Sequence, residues 1–208
     1  MTGNVNINAL WARLEAWGRD NAPNMLEDLN PGASDEELGD LQTALDRELP
    51  ETFLQSLKLH NGESDGWPCK VFADMGAYLP CSQIVENWQM RVQIAGQIAG
   101  QFGDDFSAEK RAEQIRDGII FVDGPVSPDA FNAGWIPIMD SNGDVFWALD
   151  YAPAEGGVPG QVIQVDLEGC DWKVVATSFD ELLDAYVAAL EAGEYRIEEG
   201  QPTQEPAD

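Results

Sequence analysis

The stretch Trp135-Ile-Pro-Ile-Met-Asp-Ser-Asn-Gly-Asp-Val-Phe-Trp-Ala-Leu-Asp150 decides how the rest of the chain is interpreted. Two apolar runs flank the pair Asn142-Gly143, which is typical of tight turns that need positive φ angles. The stretch therefore predicts a β-hairpin. Pro137 has no N–H to donate, which places the first strand at a sheet edge or makes its start irregular. In the second strand neither face is polar before Asp150, so we expect cover on both sides.

Composition indicates a packed and strongly acidic protein. The 208 residues are 44% hydrophobic and include seven Trp and eight Phe, whereas disordered acidic chains are poor in aromatic residues. Eleven Lys and Arg against 38 Asp and Glu give a formal net charge of -27. This charge disfavours nucleic acid and anionic membranes as partners and favours a basic protein, although solubility alone also explains it.

The cysteines and the N-terminus predict a cytoplasmic protein. Cys69, Cys81 and Cys170 fit neither a metal-binding spacing nor a disulfide framework, so we expect free thiols in a reducing compartment. The chain starts without a basic region followed by an apolar core, and no apolar run approaches the roughly 20 residues of a membrane span.

The order of patterns along the chain predicts an α+β domain over residues 1–192 and an acidic flexible tail over 193–208. Apolar spacing and capping residues predict helices over about 7–19, after Ser34, after Pro50, after Ser82, within 103–118 and after Ser178. Strands are predicted at 119–122, 161–166 and 172–176 beside the hairpin, and short strands within 67–79.

Residues for catalysis, metal binding or cofactor binding do not form a recognised pattern. His60 is the only histidine, and it is predicted to be a capping or packing residue at a helix end. Asp140, Asn142 and Asp144 resemble the start of a calcium loop, but the required glycine and glutamate positions hold Val145 and Tyr151. Glycines 156–160 precede a strand, so they do not form a dinucleotide fingerprint. We therefore predict no catalytic residue, no metal and no cofactor.

A run of single-sign charge is the one feature that indicates a binding surface. Between Arg116 and Lys173 there is no basic residue, while ten acidic residues fall there. They are Asp117, Asp123, Asp129, Asp140, Asp144, Asp150, Glu155, Asp166, Glu168 and Asp171. Charge of this kind attracts and orients a basic protein. The predicted partner-binding residues are Asp140, Asn142, Asp144, Asp150 and Glu155.

A set of short motifs resembles the Smi1/Knr4 family of the SUKH superfamily. In order, the matching pieces are Pro31-Gly-Ala-Ser34, Leu49-Pro50 with Phe53, Leu59-His-Asn-Gly62, Trp135-Ile-Pro-Ile138, Asp140 to Asp144, Leu149-Asp150, Gly160-Gln-Val-Ile163 and Ser178-Phe179. They cover residues 30–190, about four fifths of the chain. The first predicted helix and the 103–118 segment lie outside this pattern.

The resemblance implies a single domain with a curved, mainly antiparallel sheet surrounded by helices, and no catalytic activity. Bacterial members of the family are frequently immunity proteins that bind and neutralise a toxin, often a nuclease, and fungal members are scaffolds that regulate cell-wall synthesis. Because nuclease surfaces are basic, the acidity here favours an immunity protein against a basic toxin. A cell-wall regulatory scaffold is the alternative, and a metal-dependent or small-molecule enzyme is a distant third.

Overall fold

The computed structural model describes residues 6–64, 71–73, 75–102, 107–129, 132–198 and 201–204. The helices are α1 (Ile7–Asn21), a short 3₁₀ helix (Pro23–Leu26), α2 (Asp35–Leu45), α3 (Glu51–Leu59), α4 (Cys81–Phe102), α5 (Ala108–Arg116) and α6 (Phe179–Ala192). The strands are β1 (Ala77–Tyr78), β2 (Phe121–Asp123), β3 (Trp135–Asp140), β4 (Val145–Asp150), β5 (Gln161–Asp166), β6 (Asp171–Ala176), β7 (Tyr195–Glu198) and β8 (Gln201–Gln204).

Local capping chemistry explains where the main helices begin and end. Ser34 forms a reciprocal capping box with Glu37 at the start of α2, and the Ser178 hydroxyl accepts from Glu181 N at the start of α6. Gly193 ends α6 in the left-handed conformation. The strain of this conformation is small for glycine, because glycine has no side chain. These satisfied helix ends confirm the helices that the sequence predicts after Ser34 and Ser178.

The sheet has six strands in the order β1-β3-β4-β5-β6-β2. All neighbours are antiparallel except β2, which joins β6 in parallel. The predicted hairpin is β3–β4, and its register shifts between Pro137 and Met139. Strand β1 pairs only with Met139 and Asp140, so Pro137 faces no partner strand on that side. The missing N–H of Pro137 therefore interrupts no ladder bond with β1.

Both faces of the sheet are covered, as the apolar pattern of β4 predicts. One face carries Trp147 and Leu149 into the main core, which Leu14 of α1, Phe53 of α3 and Phe179 of α6 complete. The other face holds a second cluster, formed by Ile120, Val126, Trp135, Phe146, Ala148, Ile163, Val165 and Trp172. Full burial of one such large side chain contributes about 1.5–3 kcal/mol, so these clusters dominate the stability of the domain.

The segment after Gly193 differs from the predicted flexible tail. Residues 195–198 and 201–204 pair as the antiparallel hairpin β7–β8. Tyr195 packs edge-on against Tyr186 of α6 with ring centroids 5.4 Å apart, and Pro202 is buried. Tyr195 and Ile197 alternate with charged residues, a strand pattern that the acidity of the segment obscured. The prediction of a flexible tail is therefore wrong for this hairpin, and residues 205–208 lie outside the described part.

The short strands predicted within 67–79 are found in part. Strand β1 occupies Ala77–Tyr78 and pairs with β3, whereas residues 67–70 and 74 lie outside the described ranges. The Tyr78 hydroxyl shares a hydrogen bond of 3.0 Å with Ser56, which also accepts from the Trp11 indole at 2.8 Å. This buried network joins β1 to α1 and α3.

Candidate functional site

Two of the predicted binding residues hold the turn of the β3–β4 hairpin. Asp140 Oδ1 accepts a hydrogen bond of 2.7 Å from Gly143 N, and Asn142 Oδ1 accepts from Asp144 N and Val145 N at 3.1 and 2.9 Å. Gly143 has φ +85°, as the tight turn requires. The side chains of Asp140 and Asn142 therefore accept hydrogen bonds that stabilise the turn.

Asp140 is also neutralised by an arginine that sequence reasoning missed. Arg91 Nη2 donates to Asp140 Oδ2 at 2.9 Å and to Gly143 O at 3.0 Å, and its guanidinium carbon lies 3.6 Å from the Phe146 ring centroid. Burial lowers the pKa of Arg91, and the Asp140 carboxylate opposes that shift. Arg91 lies three residues after Trp88, on the apolar side of α4, and this spacing was the available signal.

Asp150 is fully buried, so it cannot serve as the predicted contact for a partner. Its Oδ1 accepts from Ala152 N at 2.9 Å and its Oδ2 from Gln161 Nε2 at 3.0 Å. Gln161 Nε2 also donates to Pro125 O, and Gln161 Oε1 accepts from Val158 N. Burial raises the pKa of Asp150, and the hydrogen bonds that its carboxylate accepts from Ala152 and Gln161 oppose the rise. Asp150 and Gln161 together therefore link the loop between β4 and β5 to the loop before β3.

The five predicted residues do not form one surface. Asn142 and Asp144 are exposed at the start of β4, whereas Glu155 is exposed in the loop that follows its end. Six strand residues separate these positions, a distance of roughly 20 Å. Asp144 and Glu155 are therefore the exposed carboxylates of the predicted set, and they lie at opposite ends of β4.

Strand register instead brings a different group of carboxylates together. Asp166 at the end of β5 lies opposite Val145 on one side and Asp171 on the other. Leu167 N donates to Asp144 O at 2.9 Å, which joins the β5–β6 turn to the β3–β4 turn. We call Asp144, Asp166, Glu168 and Asp171 the acidic sheet end. Four carboxylates concentrated on adjoining turns produce a local negative potential.

A groove lies between α2 and α4. It has a volume of about 420 Å³, an apolar floor that includes Leu41 and Val85, and acidic side chains of Glu37, Asp40 and Glu86 along it. Cys81 is among its lining residues, and burial raises the pKa of the thiol to about 11. Because the thiolate is the nucleophile, this cysteine is unreactive near neutral pH.

His60 occupies a packing position, as the sequence predicts. Its Nε2 lies 2.9 Å from Glu15 Oε1, and its ring lies 4.7 Å from that of Trp11. In the part of the chain that the structure describes, no group of three or more His, Cys, Asp or Glu side chains is placed to hold a metal ion. No helix over the same residues has the length and apolarity needed to cross a membrane.

The fold and its acidic surface define a small α+β domain whose conspicuous feature is concentrated negative charge. The chain belongs to the SMI1/KNR4 family (SUKH-1), whose sequence model matches residues 32–185. This match confirms the family that the ordered motifs indicate.

Curated fungal proteins are similar to nearly the whole chain. A Neurospora crassa protein named glucan synthesis regulatory protein is 27% identical over 91% of this chain and 39% of its own length. The Debaryomyces hansenii KNR4/SMI1 homolog 2 is 25% identical over 93% of this chain and 37% of its own length. A Schizosaccharomyces pombe protein named cell wall biosynthesis/cell cycle regulator smi1 is also 25% identical, over 93% of this chain and 38% of its own length. The likeness therefore extends beyond the 32–185 match, and the chain spans less than two fifths of these relatives.

Proposed function

We propose that this chain is a non-catalytic protein-binding module that binds a basic protein through the acidic sheet end. The observation that carries the proposal is the grouping of Asp144, Asp166, Glu168 and Asp171 on adjoining turns. Negative charge gathered at one place accelerates encounter with a positively charged surface and orients it.

The chemistry of the described residues favours binding over catalysis. A perturbed pKa in a cleft indicates a candidate catalytic group, but the shifted groups named here take part in structural contacts. Arg91 and Asp140 hold a turn, Asp150 holds a loop, and the Cys81 thiol stays protonated. Each of these groups thus has a structural role.

The regulatory role is the first candidate for the biological setting. Relatives that cover more than nine tenths of this chain are named for glucan synthesis and cell-wall biosynthesis. Because the chain spans less than two fifths of those proteins, we infer that the domain supplies a binding surface for a protein of the cell-wall synthesis machinery. In this setting the domain acts as a scaffold.

The immunity role is the second candidate, and the net charge of -27 favours it. A toxin that cleaves nucleic acid needs a basic surface to hold phosphates, and a strongly acidic protein can cover that surface. The two candidates share one recognition chemistry and differ in the identity of the basic partner.

A salt-eluted pull-down from the native cells tests the proposal. The purified chain is immobilised, exposed to extract at low ionic strength and washed with rising salt, and retained proteins are identified by mass spectrometry. We expect a basic partner that leaves as salt rises, because exposed charges are screened over a Debye length of about 8 Å at physiological salt. Cell-wall synthesis proteins among the partners would support the first candidate, and a toxin the second. Retention of only neutral or acidic proteins would contradict the proposal.

A triple substitution makes the same test specific to one surface. Asp144, Glu168 and Asp171 are changed together to Asn or Gln, which removes three negative charges from the acidic sheet end. The matched control removes three exposed charges from the α2 side, at Glu36, Asp40 and Glu48. Asp140 and Asp150 are left intact because both are structural. We expect slower association only for the first variant, and equal effects would contradict the placement of the binding charge.

A further inference from the structure

Exposed apolar side chains are concentrated in one segment between α5 and β2. Among the described residues six large apolar side chains are exposed, namely Met90, Ile115, Ile119, Phe121, Val158 and Ile197. Three of the six fall within residues 115–121. Ile119 is 55% exposed and Phe121 is 57% exposed, the highest fractions in the set. Clustered exposure of this kind marks interaction surfaces, whereas scattered single residues do not.

The register of β2 explains why Phe121 faces solvent. Val122 packs against the second cluster, so its neighbour Phe121 projects from the opposite face of the sheet. Phe121 lies opposite Asp171 on β6, and Asp123 lies opposite Lys173. Farther along that face, helix α6 covers β5 and β6. At β2 the cover ends, which leaves an open corner of the sheet.

Charge around this corner is predominantly negative. Asp123 is exposed on β2, and Asp171 shares its position in the ladder with both Phe121 and Asp166. The corner therefore adjoins the acidic sheet end, and its basic neighbours are Lys173 on β6 and the exposed Arg116 at the end of α5. We call Ile119, Phe121, Asp123 and Asp171 the sheet corner. It combines an apolar centre with a charged margin, as protein-binding surfaces do.

We propose that the sheet corner is the docking point of the basic partner, with Phe121 and Ile119 as apolar anchors and the neighbouring carboxylates as its charged rim. This proposal rests on the proposed function and adds where the partner binds. Charge complementarity identifies the occupant as a segment that carries Lys or Arg beside apolar residues. A second copy of the chain would bring one acidic surface against another, which opposes self-association at this site.

The test uses a synthetic twelve-residue peptide that alternates Lys with Leu and carries one Tyr for quantification. Its binding to the full chain is followed by amide chemical shifts in nitrogen-15-labelled protein, which give both the site and Kd. We expect shifts centred on residues 119–123 and 166–171. A matched peptide with Glu in place of Lys should not bind, because its charge repels the rim.

Two substitutions separate the anchor from general surface apolarity. Phe121→Ser should raise Kd about tenfold, as expected for a central anchor. Val158→Ser removes a side chain of similar exposure, 53%, on the β4–β5 loop, and should leave Kd unchanged. If the amide spectrum shows that Phe121→Ser disturbs the fold, Ile119→Ser replaces it, with an expected rise of several-fold.

Each contrary outcome has a distinct meaning. Shifts confined to the α2–α4 groove, or equal effects of Phe121→Ser and Val158→Ser, would overturn the sheet corner while leaving a basic partner in place. Dimerisation in sedimentation measurements that Phe121→Ser abolishes, together with no peptide shifts at the corner, would show a second copy as the occupant and overturn the proposal. Failure of the wild-type chain to bind the Lys peptide anywhere would contradict both this proposal and the proposed function.

Discussion

Replacement of Arg91 by Met should destabilise the domain by about 2–3 kcal/mol, because it leaves the Asp140 carboxylate without its cation. Loss of one partner from a fully buried ion pair costs about 3–5 kcal/mol. The side chain of Asp140 is 15% exposed and keeps its bond from Gly143 N, which places the expected cost below that range. Methionine retains an apolar contact with Phe146, so the loss of aromatic stacking is partly offset.

Urea unfolding followed by tryptophan fluorescence measures this cost. Arg19→Met is the matched control, because its pair with Glu15 is exposed and should contribute less than about 0.5 kcal/mol. Combining Arg91→Met with Asp140→Asn should cost at least about 1 kcal/mol less than the sum of the single changes, because the two side chains contact each other. The structural role of Arg91 would be refuted if its substitution cost no more than Arg19→Met, or if the two changes were additive.

Three further changes test other parts of the structure by the same unfolding measurement. Gly143→Val should cost about 1–3 kcal/mol, all of it from the positive φ, because no atom lies within 4 Å of an added Cβ; an unchanged midpoint would contradict the turn. Asp150→Ala should cost about 1–3 kcal/mol by leaving buried donors unpaired, while Glu155→Ala in the neighbouring loop should be neutral. Deletion of residues 194–208 should lower stability, because Tyr195 packs on α6; full retention of the midpoint would show that β7–β8 adds nothing.

Local sequence chemistry was sufficient to predict the elements with strong short-range signals. The Asn142-Gly143 turn, the capping residues Ser34 and Ser178, and the two-sided apolar pattern of β4 all depend on neighbours within a few positions. The ordered motifs also indicated the family correctly. These features are fixed by backbone preference and periodicity, which a sequence displays directly.

The exposure and the contacts of each acidic side chain could not be predicted, because they depend on the register between strands that are distant in the sequence. Asp144 and Asp150 look alike in the sequence, but Asp144 is exposed at a turn, whereas Asp150 is buried and accepts a hydrogen bond from Gln161. The parallel pairing of β2 with β6 joins segments about fifty residues apart, and that pairing creates the sheet corner. A run of acidic residues therefore indicated a charged surface but not which members compose it.

In the proposed mode of binding, a basic partner binds through charge at the acidic sheet end and through an apolar anchor at Phe121. Measuring the association and dissociation rates of that partner tests this mode of binding directly. The partner retained in the pull-down is measured against the wild-type chain, the triple variant at Asp144, Glu168 and Asp171, and Phe121→Ser. We expect the triple variant to slow association and flatten its dependence on salt, because exposed charges act mainly on encounter. Phe121→Ser should speed dissociation and leave the salt dependence of association unchanged. Identical rates for all three chains at low salt would contradict binding at this surface.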